Sequence, residues 1–248
     1  FSKSLERLIG DYSPKIIGIS MSFLSQALTG FAMLGYLKSH FPSIITVAGG
    51  SLITSWMSGP NWPLKLETSA DHFIKGPGEE ILLELAGAET GCEKKLPDYS
   101  HFRFSDYLSP GSILPYSCAD GCYWNKCNFC PDRAEGRPYN AGKPTTAVGQ
   151  AKSLVSLYNP ILIHFLDNGL SPGLLRELIA QPPGAPWYGF ARIEKELGNP
   201  DYCRNLKKSG CVMLKLGIES GSQKVLDAMD KGIELNLVGL DGSADMPE

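Results

Sequence analysis

Residues 113–131 read ILPYSCADGCYWNKCNFCP. A short apolar run, Ile113 to Ser117, opens directly into a loop that holds four of the chain's seven cysteines: Cys118, Cys122, Cys127 and Cys130. Thiolates so close in sequence can converge on one metal centre without help from distant residues. They sit among Asp120, Asn125, Lys126 and Asn128 rather than in an apolar run, which argues against four buried structural thiols. An odd, clustered set also differs from the dispersed cysteines of a disulfide framework and points to a reducing compartment. Two centres remain open. All four sulfurs would close a tetrahedral zinc site. Three of them, in the spacing Cys122-x4-Cys127-x2-Cys130, would hold an iron-sulfur cube and leave one iron without a protein ligand.

Downstream of the loop, strands are predicted at Ile161 to Asp167, Trp187 to Arg192 and Val212 to Glu219. Ser171 with Pro172 reads as a helix cap and first turn, Ser222 as another cap, and Gly210 and Gly232 as helix terminators. Strand-helix alternation implies a parallel sheet, and in a parallel barrel the chemistry gathers where the strands end. The first strand ends in the cysteine loop, the second at Asp167 and Asn168, the third at Arg192, the fourth at Glu219 and Ser220. One charged strand end is ordinary; four of them, with thiols on the first, indicate a site.

Upstream the same alternation appears. Lys15 to Ser22, Ile44 to Gly50 and Asp71 to Lys75 read as strands, with helices up to His40 and from Glu79 to Ala88. The expected fold class is α/β: a Rossmann-like parallel sheet over 1–90, a polar linker over 91–109, a (β/α) barrel over 110–234 and an irregular tail over 235–248.

The chain has 248 residues and a formal net charge of −3, with acids and bases interspersed. No cluster of Lys and Arg suits a phosphate backbone, so no nucleic acid is expected. No apolar run reaches membrane-spanning length, so no membrane partner is expected and the chain reads as soluble and cytoplasmic. Phe1 stands where a start methionine would, and both ends read as cut, so the chain is expected to be a fragment.

The loop CYWNKCNFCP, followed by FLDNG, GFAR and LGIESGSQKVLDAMDKG, resembles the radical S-adenosylmethionine superfamily. GISMSFLSQA, ITVAGGSLIT and IKGPGEE are similar to the cobalamin-binding domain that precedes the barrel in its cobalamin-dependent class. The resemblance implies that Cys122, Cys127 and Cys130 hold a 4Fe-4S (four-iron four-sulfur) cluster whose open iron chelates S-adenosylmethionine. It places Phe129 against the adenine, Asp167 and Asn168 at the methionine amino group, and Arg192, Glu219 and Ser220 at the carboxylate and ribose. Ser20, Ser22, Gly49 and Gly50 match positions where small residues let cobalamin's nucleotide tail approach.

Three departures stand out. Four residues separate Cys122 from Cys127 where the usual loop has three; Asn125 occupies the place that would give Cys118 a role, leaving Cys118 a spare or neighbouring thiol; and no Asp-x-His-x-x-Gly follows the first strand, Asp71 and His72 being adjacent elsewhere. The barrel is expected to lack about its last quarter to third.

The reading is therefore an enzyme that starts radical chemistry, such as cobalamin-dependent methylation, on a small molecule or peptide, with an electron donor such as flavodoxin or ferredoxin. A methylthiotransferase or ring-forming enzyme that does not use cobalamin is the first alternative, and a non-catalytic zinc-stabilised module with four cysteine ligands the second. His164 reads as a satisfied core or barrel residue, Cys203 and Cys211 as buried structural thiols, and Trp124 as either a cover for the centre or a packing residue.

Overall fold

The computed structural model describes residues 2–60, 62, 66–89, 96–136 and 138–238. They form a mixed α/β chain with parallel sheets that divides into two compact units, Phe1–Glu93 and Lys94–Glu248.

In the first unit α1 (Ser2–Tyr12) precedes β1 (Ile16–Ser20), α2 (Leu24–His40), β2 (Ile45–Gly49), α3 (Ser51–Ser58), β3 (His72–Phe73) and α4 (Glu79–Leu85). The three strands are parallel in the order β1-β2-β3. Met21, Leu34, Ala48, Ile53 and Ala70 form the core. Asp71 fastens the third strand: its carboxylate accepts the amide and hydroxyl of Thr46 at 2.8 and 2.7 Å and takes Lys38 Nζ at 3.2 Å. The two Thr46 bonds hold its acidity at about 2, well below an ordinary carboxylate. Register puts Ser20 beside Gly49 at the carboxyl end of the sheet. There the chain turns through Gly50 at φ 100, where a Cβ would lie 2.5 Å from the Met21 carbonyl oxygen. Only glycine fits this left-handed, crowded turn.

In the second unit β4 (Ile113–Tyr116) leads through the cysteine loop, which contains β5 (Ala119–Asp120) and α5 (Pro131–Ala134), to β6 (Asn140–Ala141). Then follow α6 (Pro144–Tyr158), β7 (Leu162–Phe165), α7 (Pro172–Ala180), β8 (Trp187–Ala191), α8 (Pro200–Lys208), β9 (Cys211–Leu216) and α9 (Gln223–Ala228). The main sheet is parallel, in the order β4-β7-β8-β9, while β5 and β6 pair antiparallel. Alternation along the strands sends Leu114, Tyr116, Ile163, Phe165 and Trp187 to one face, where α6, α7 and α8 cover them with Val148, Leu154, Leu174, Leu178 and Leu206. The described residues give this sheet two edges, β4 and β9, so they do not close the expected barrel.

Ser171 caps α7 as predicted, accepting from the Leu174 amide at 3.3 Å with Pro172 in the first turn. Gly210 (φ 97) and Gly232 (φ 63) follow α8 and α9 in left-handed turns. The strands end earlier than predicted, at Phe165, Ala191 and Leu216, so the expected site residues stand on the loops beyond them. Residues 91–95 of the expected linker lie outside the described residues; from Leu96 onward the segment packs on the sheet's core through Leu96, Tyr99 and Phe104. Of the expected tail, 239–248 lies outside the described residues, and 235–238 forms a 3-10 turn. Cys203 is exposed rather than buried, its thiol lying 3.2 Å from the Leu197 carbonyl, and Cys211 is half-buried. Among the described residues no helix is long and apolar enough to cross a membrane.

Replacing Gly50 with Ala forces a side chain onto the Met21 backbone in a left-handed turn. The first unit is expected to lose about 1–3 kcal/mol, read as a lower urea midpoint at unchanged slope; an unchanged midpoint contradicts the packing described.

Candidate functional site

The root of the cysteine loop is fixed by Asp167. This carboxylate is only 2% exposed and accepts the Cys118 amide at 3.0 Å. Burial pushes its pKa up to about 6, against the pull of the Cys118, Asp167 and Ala119 amides. The expectation that Asp167 meets an amino group of a cofactor therefore competes with a bond already made. Cys118 packs against the helix-covered core, and burial followed by the Asp167 charge raises its thiol far above the ordinary range. It stays protonated, so a four-thiolate zinc set would have to pull it out of this packing.

The other three cysteines behave as a group. Cys127 is 8% exposed, and Cys122 and Cys130 are half-buried. Burial raises the Cys127 thiol most; Lys231 and then Arg192 pull it down, and Cys130 and Cys122 push it up. Among the described residues no three His, Cys, Asp or Glu side chains are gathered closely enough to share one metal ion. A cube sets its thiolates on separate irons, whereas a tetrahedral ion draws all of them onto itself. Cys127, with Cys122 and Cys130 near enough to act on its charge and two cations beside it, offers donors of the kind that an iron-sulfur cluster takes.

What holds this loop is the end of α9. Four successive carbonyls, from the last residue of α9 through the turn beyond it, meet donors from the site. Asn128 gives its side-chain amide to Ala228 (2.9 Å) and its backbone amide to Met229 (2.9 Å). Trp124 Nε1 donates to Asp230 (2.9 Å), and Arg192 donates to Lys231 (2.5 Å). Gly232 lies flat against the Trp124 ring, where a Cβ would come within 2.1 Å. Asp230 at φ 52 and Gly232 at φ 63 supply the left-handed turn that aims these carbonyls back at the loop. Trp124 therefore has a packing role.

Two buried cations stand within this frame. Arg192, 7% exposed, lies over the Trp124 ring at 4.1 Å and 3.6 Å from Glu194 Oε1, which also accepts the Tyr123 hydroxyl at 2.8 Å. Lys231, 8% exposed, reaches Glu219 Oε1 at 3.0 Å and lies 5.4 Å from the Phe129 ring centroid. Gly217 leaves room for that pair; its Cβ would sit 2.8 Å from Glu219 Oε1.

Of the predicted residues, Arg192, Glu219 and Phe129 are thus brought together through Lys231 beside Cys127. Phe129 is 51% exposed, so its ring is open to a ligand. Asn168 is exposed and bonded to Asp132. Ser220 lies one residue beyond Glu219, its hydroxyl accepting the Ser222 amide at 3.1 Å. In the first unit Ser20 and Ser22 are exposed at the strand end and Gly49 lies half-buried beside Ser20, whereas Gly50 is occupied with the Met21 turn. The residues missed from sequence are Lys231, Glu194 and Tyr123. Their signal was present: a lysine between Asp230 and a helix-ending glycine, and an acid two residues beyond the Arg192 strand end.

No protein-family model and no curated protein matches the chain. Among solved structures it is similar to the apo, selenomethionine-labelled cobalamin-dependent S-adenosylmethionine radical enzyme OxsB, with a TM-score of 0.65 and 19% sequence identity. The match covers 95% of this chain and 39% of that one, so the chain spans about two fifths of that enzyme's length. The likeness is one of fold.

Because the folded protein holds a proton on Asp167 up to about pH 6 while the unfolded chain releases it near pH 4, the folded state binds the extra proton between them. Stability is therefore expected to fall as pH rises from about 4 to about 6, by about 2–3 kcal/mol from this group. Asp167→Asn should flatten that part of the curve in urea titrations across the range; an identical slope in both proteins contradicts the assignment.

Proposed function

We propose that this chain carries the cofactor-holding part of a cobalamin-dependent radical S-adenosylmethionine enzyme. One observation carries the reading: three interacting thiols share a loop beside two buried cations, while the fourth thiol is withdrawn into the core. In support, the fold resembles that of a cobalamin-dependent S-adenosylmethionine radical enzyme along nearly the whole chain.

Cys122, Cys127 and Cys130 would hold a 4Fe-4S cluster, and Phe129, Asn168, Arg192, Glu219 and Ser220 would surround S-adenosylmethionine. A cluster held by these cysteines would supply one-electron reductive cleavage of a carbon–sulfur bond of S-adenosylmethionine, the chemistry that opens radical hydrogen abstraction from a substrate. The protein's own residues do the rest. Lys231 and Arg192 pull the Cys127 thiol toward its deprotonated form and would balance the negative charge of a thiolate-ligated centre. Trp124 packed on Gly232 closes one side of the loop. Asp167 acts as the loop's anchor, and Asn168 takes over contact with the cofactor's polar end. Ser20, Ser22 and Gly49 form the strand-end surface for cobalamin, and Gly50 keeps the turn that presents them. The chemistry is carbon methylation or a related modification of a small molecule or peptide, with flavodoxin or ferredoxin as electron source. The four-cysteine zinc module is disfavoured by the packing of Cys118, and corrin binding separates the cobalamin reading from a methylthiotransferase or ring-forming enzyme.

After anaerobic reconstitution with iron and sulfide, Cys122→Ala, Cys127→Ala and Cys130→Ala should each lose most bound iron and sulfide, and Cys118→Ala should retain it. Stoichiometric zinc that depends on Cys118 would overturn the cluster. Hydroxocobalamin should co-elute with the protein in gel filtration; its absence from the protein peak would remove the cobalamin part of the reading.

A further inference from the structure

The face of the main sheet that no helix covers carries one charge. Of the residues in β4, β7, β8 and β9, only Lys215 on β9 is charged. Register sets it beside Phe190 and diagonal to Tyr188, on the side opposite α6, α7 and α8. Its Nζ lies 5.2 Å from the Tyr188 ring centroid and 5.2 Å from that of Phe190. Lys215 is exposed and has no carboxylate partner among the described residues. The Tyr188 hydroxyl on the same face likewise has no hydrogen-bond partner among them.

Next to Tyr188 on β7 is His164, its ring stacked on the tyrosine with 4.2 Å between centroids. Its Nε2 is buried without a hydrogen-bond partner, which corrects the expectation of a satisfied core histidine. Shut off from solvent, that nitrogen meets nothing from outside, and the imidazole acts only as a support for Tyr188. Burial, followed by the Lys215 charge, holds it below its ordinary range. A lysine on an edge strand commonly guards the edge by reaching into water. Lys215 instead lies back over β8, far enough to act on His164 of β7. Two residues on, just past the ends of the same strands and about 6–7 Å along the chain, stand Arg192 and Gly217, the second lying against the Glu219–Lys231 pair.

We propose that Lys215 binds an oxyanion, a carboxylate or a phosphate, on the substrate of the radical chemistry, and so selects acidic substrates. The inference rests on the function proposed above and names the substrate class for that site. An unpaired ammonium has donors open to an anion's oxygens, and the Tyr188 hydroxyl adds another. The two rings hold the lysine head in place and offer a flat apolar floor to the rest of the ligand. A neutral or cationic molecule lying on this face would strip water from the ammonium and return nothing, whereas an anion offsets that cost. Charge therefore decides what covers a face that its rings alone would leave open to any apolar molecule. Anchored there, a substrate lies a strand step from Arg192 and the Glu219–Lys231 pair, beside the residues assigned to S-adenosylmethionine.

The test compares benzoate with benzamide, alike in shape and different in charge, by nuclear magnetic resonance titration of the whole chain. Benzoate should shift the Lys215 ε-methylene and Tyr188 ring signals and bind about fivefold more tightly than benzamide, by a margin that shrinks as salt is added. Phenyl phosphate, titrated alongside, distinguishes the two anions, the tighter being the group that the site takes. Lys215→Met, which keeps a stem over the rings, should erase the preference, and Lys215→Arg should keep it. If neither anion outbinds benzamide, or if the preference survives Lys215→Met, the proposal is overturned. Self-association of Lys215→Met in place of any anion preference would mark an edge guard and overturn it as well. Repeating the titration with and without a reconstituted cluster separates this inference from the reading beneath it. A cluster with no anion preference removes the role of Lys215 alone; an anion preference in a chain that takes up no cluster leaves an anion site with no radical chemistry beside it, and the substrate role falls.

Discussion

Four consecutive carbonyls, Ala228 at the end of α9 and the three of the turn beyond it, and the donors that meet them are the constraint on which the site depends. A turn buried without donors would hold unmatched polar groups, and a loop of thirteen residues with four cysteines would have no reason to keep one shape. Here each problem solves the other. Asn128 and Trp124 come from the loop and Arg192 from the end of β8, so one short turn ties the first strand's loop, the third strand's end and the helix after the fourth into one frame. The positive-φ residues Asp230 and Glu219 on either side of α9 belong to this arrangement.

Within that frame the charges are arranged by burial. Arg192 and Lys231 are both nearly inaccessible, and each has a carboxylate partner at its own end of the site: Glu194 for the arginine, Glu219 for the lysine. Buried cations without partners would be costly. Both act on Cys127, opposing the upward push that burial gives its thiol. Cys118 is raised by burial too, but its neighbour is the carboxylate of Asp167, which adds to the rise instead of opposing it. Two buried sulfurs on one loop thus differ in the sign of the charge beside them, which spacing alone could not show.

The strands and their order were legible because apolar runs such as Ile161 to Phe165 and Trp187 to Ala191 are short, β-rich and bounded by turn residues. Ser171 with Pro172 and the glycines at 210 and 232 marked helix ends for local steric reasons that need no tertiary information. Strand ends were placed too late because Asp167, Arg192 and Glu219 continue the pattern while their backbones have already left the sheet. The bond from the Cys118 amide to Asp167 was hidden for a related reason: nothing in the sequence tells that the carboxylate turns back to the loop that precedes it by tens of residues. Lys231 and Glu194 stood in readable places, beside a helix-ending glycine and just past a strand end, but their pairing with Glu219, Arg192 and Tyr123 is set by the folded loops and was not legible. The need for glycine at position 50 has a local cause that the sequence did not show, the Met21 backbone lying where a Cβ would be.

The central claim is that three thiols of one loop hold a cluster with an iron open to S-adenosylmethionine. Its most direct test is the electron paramagnetic resonance spectrum of the anaerobically reconstituted, reduced protein, recorded with and without S-adenosylmethionine. The expected result is the signal of a reduced four-iron four-sulfur cluster that changes shape when S-adenosylmethionine is added. A cluster signal that the compound leaves untouched, or no cluster signal at all, would contradict it.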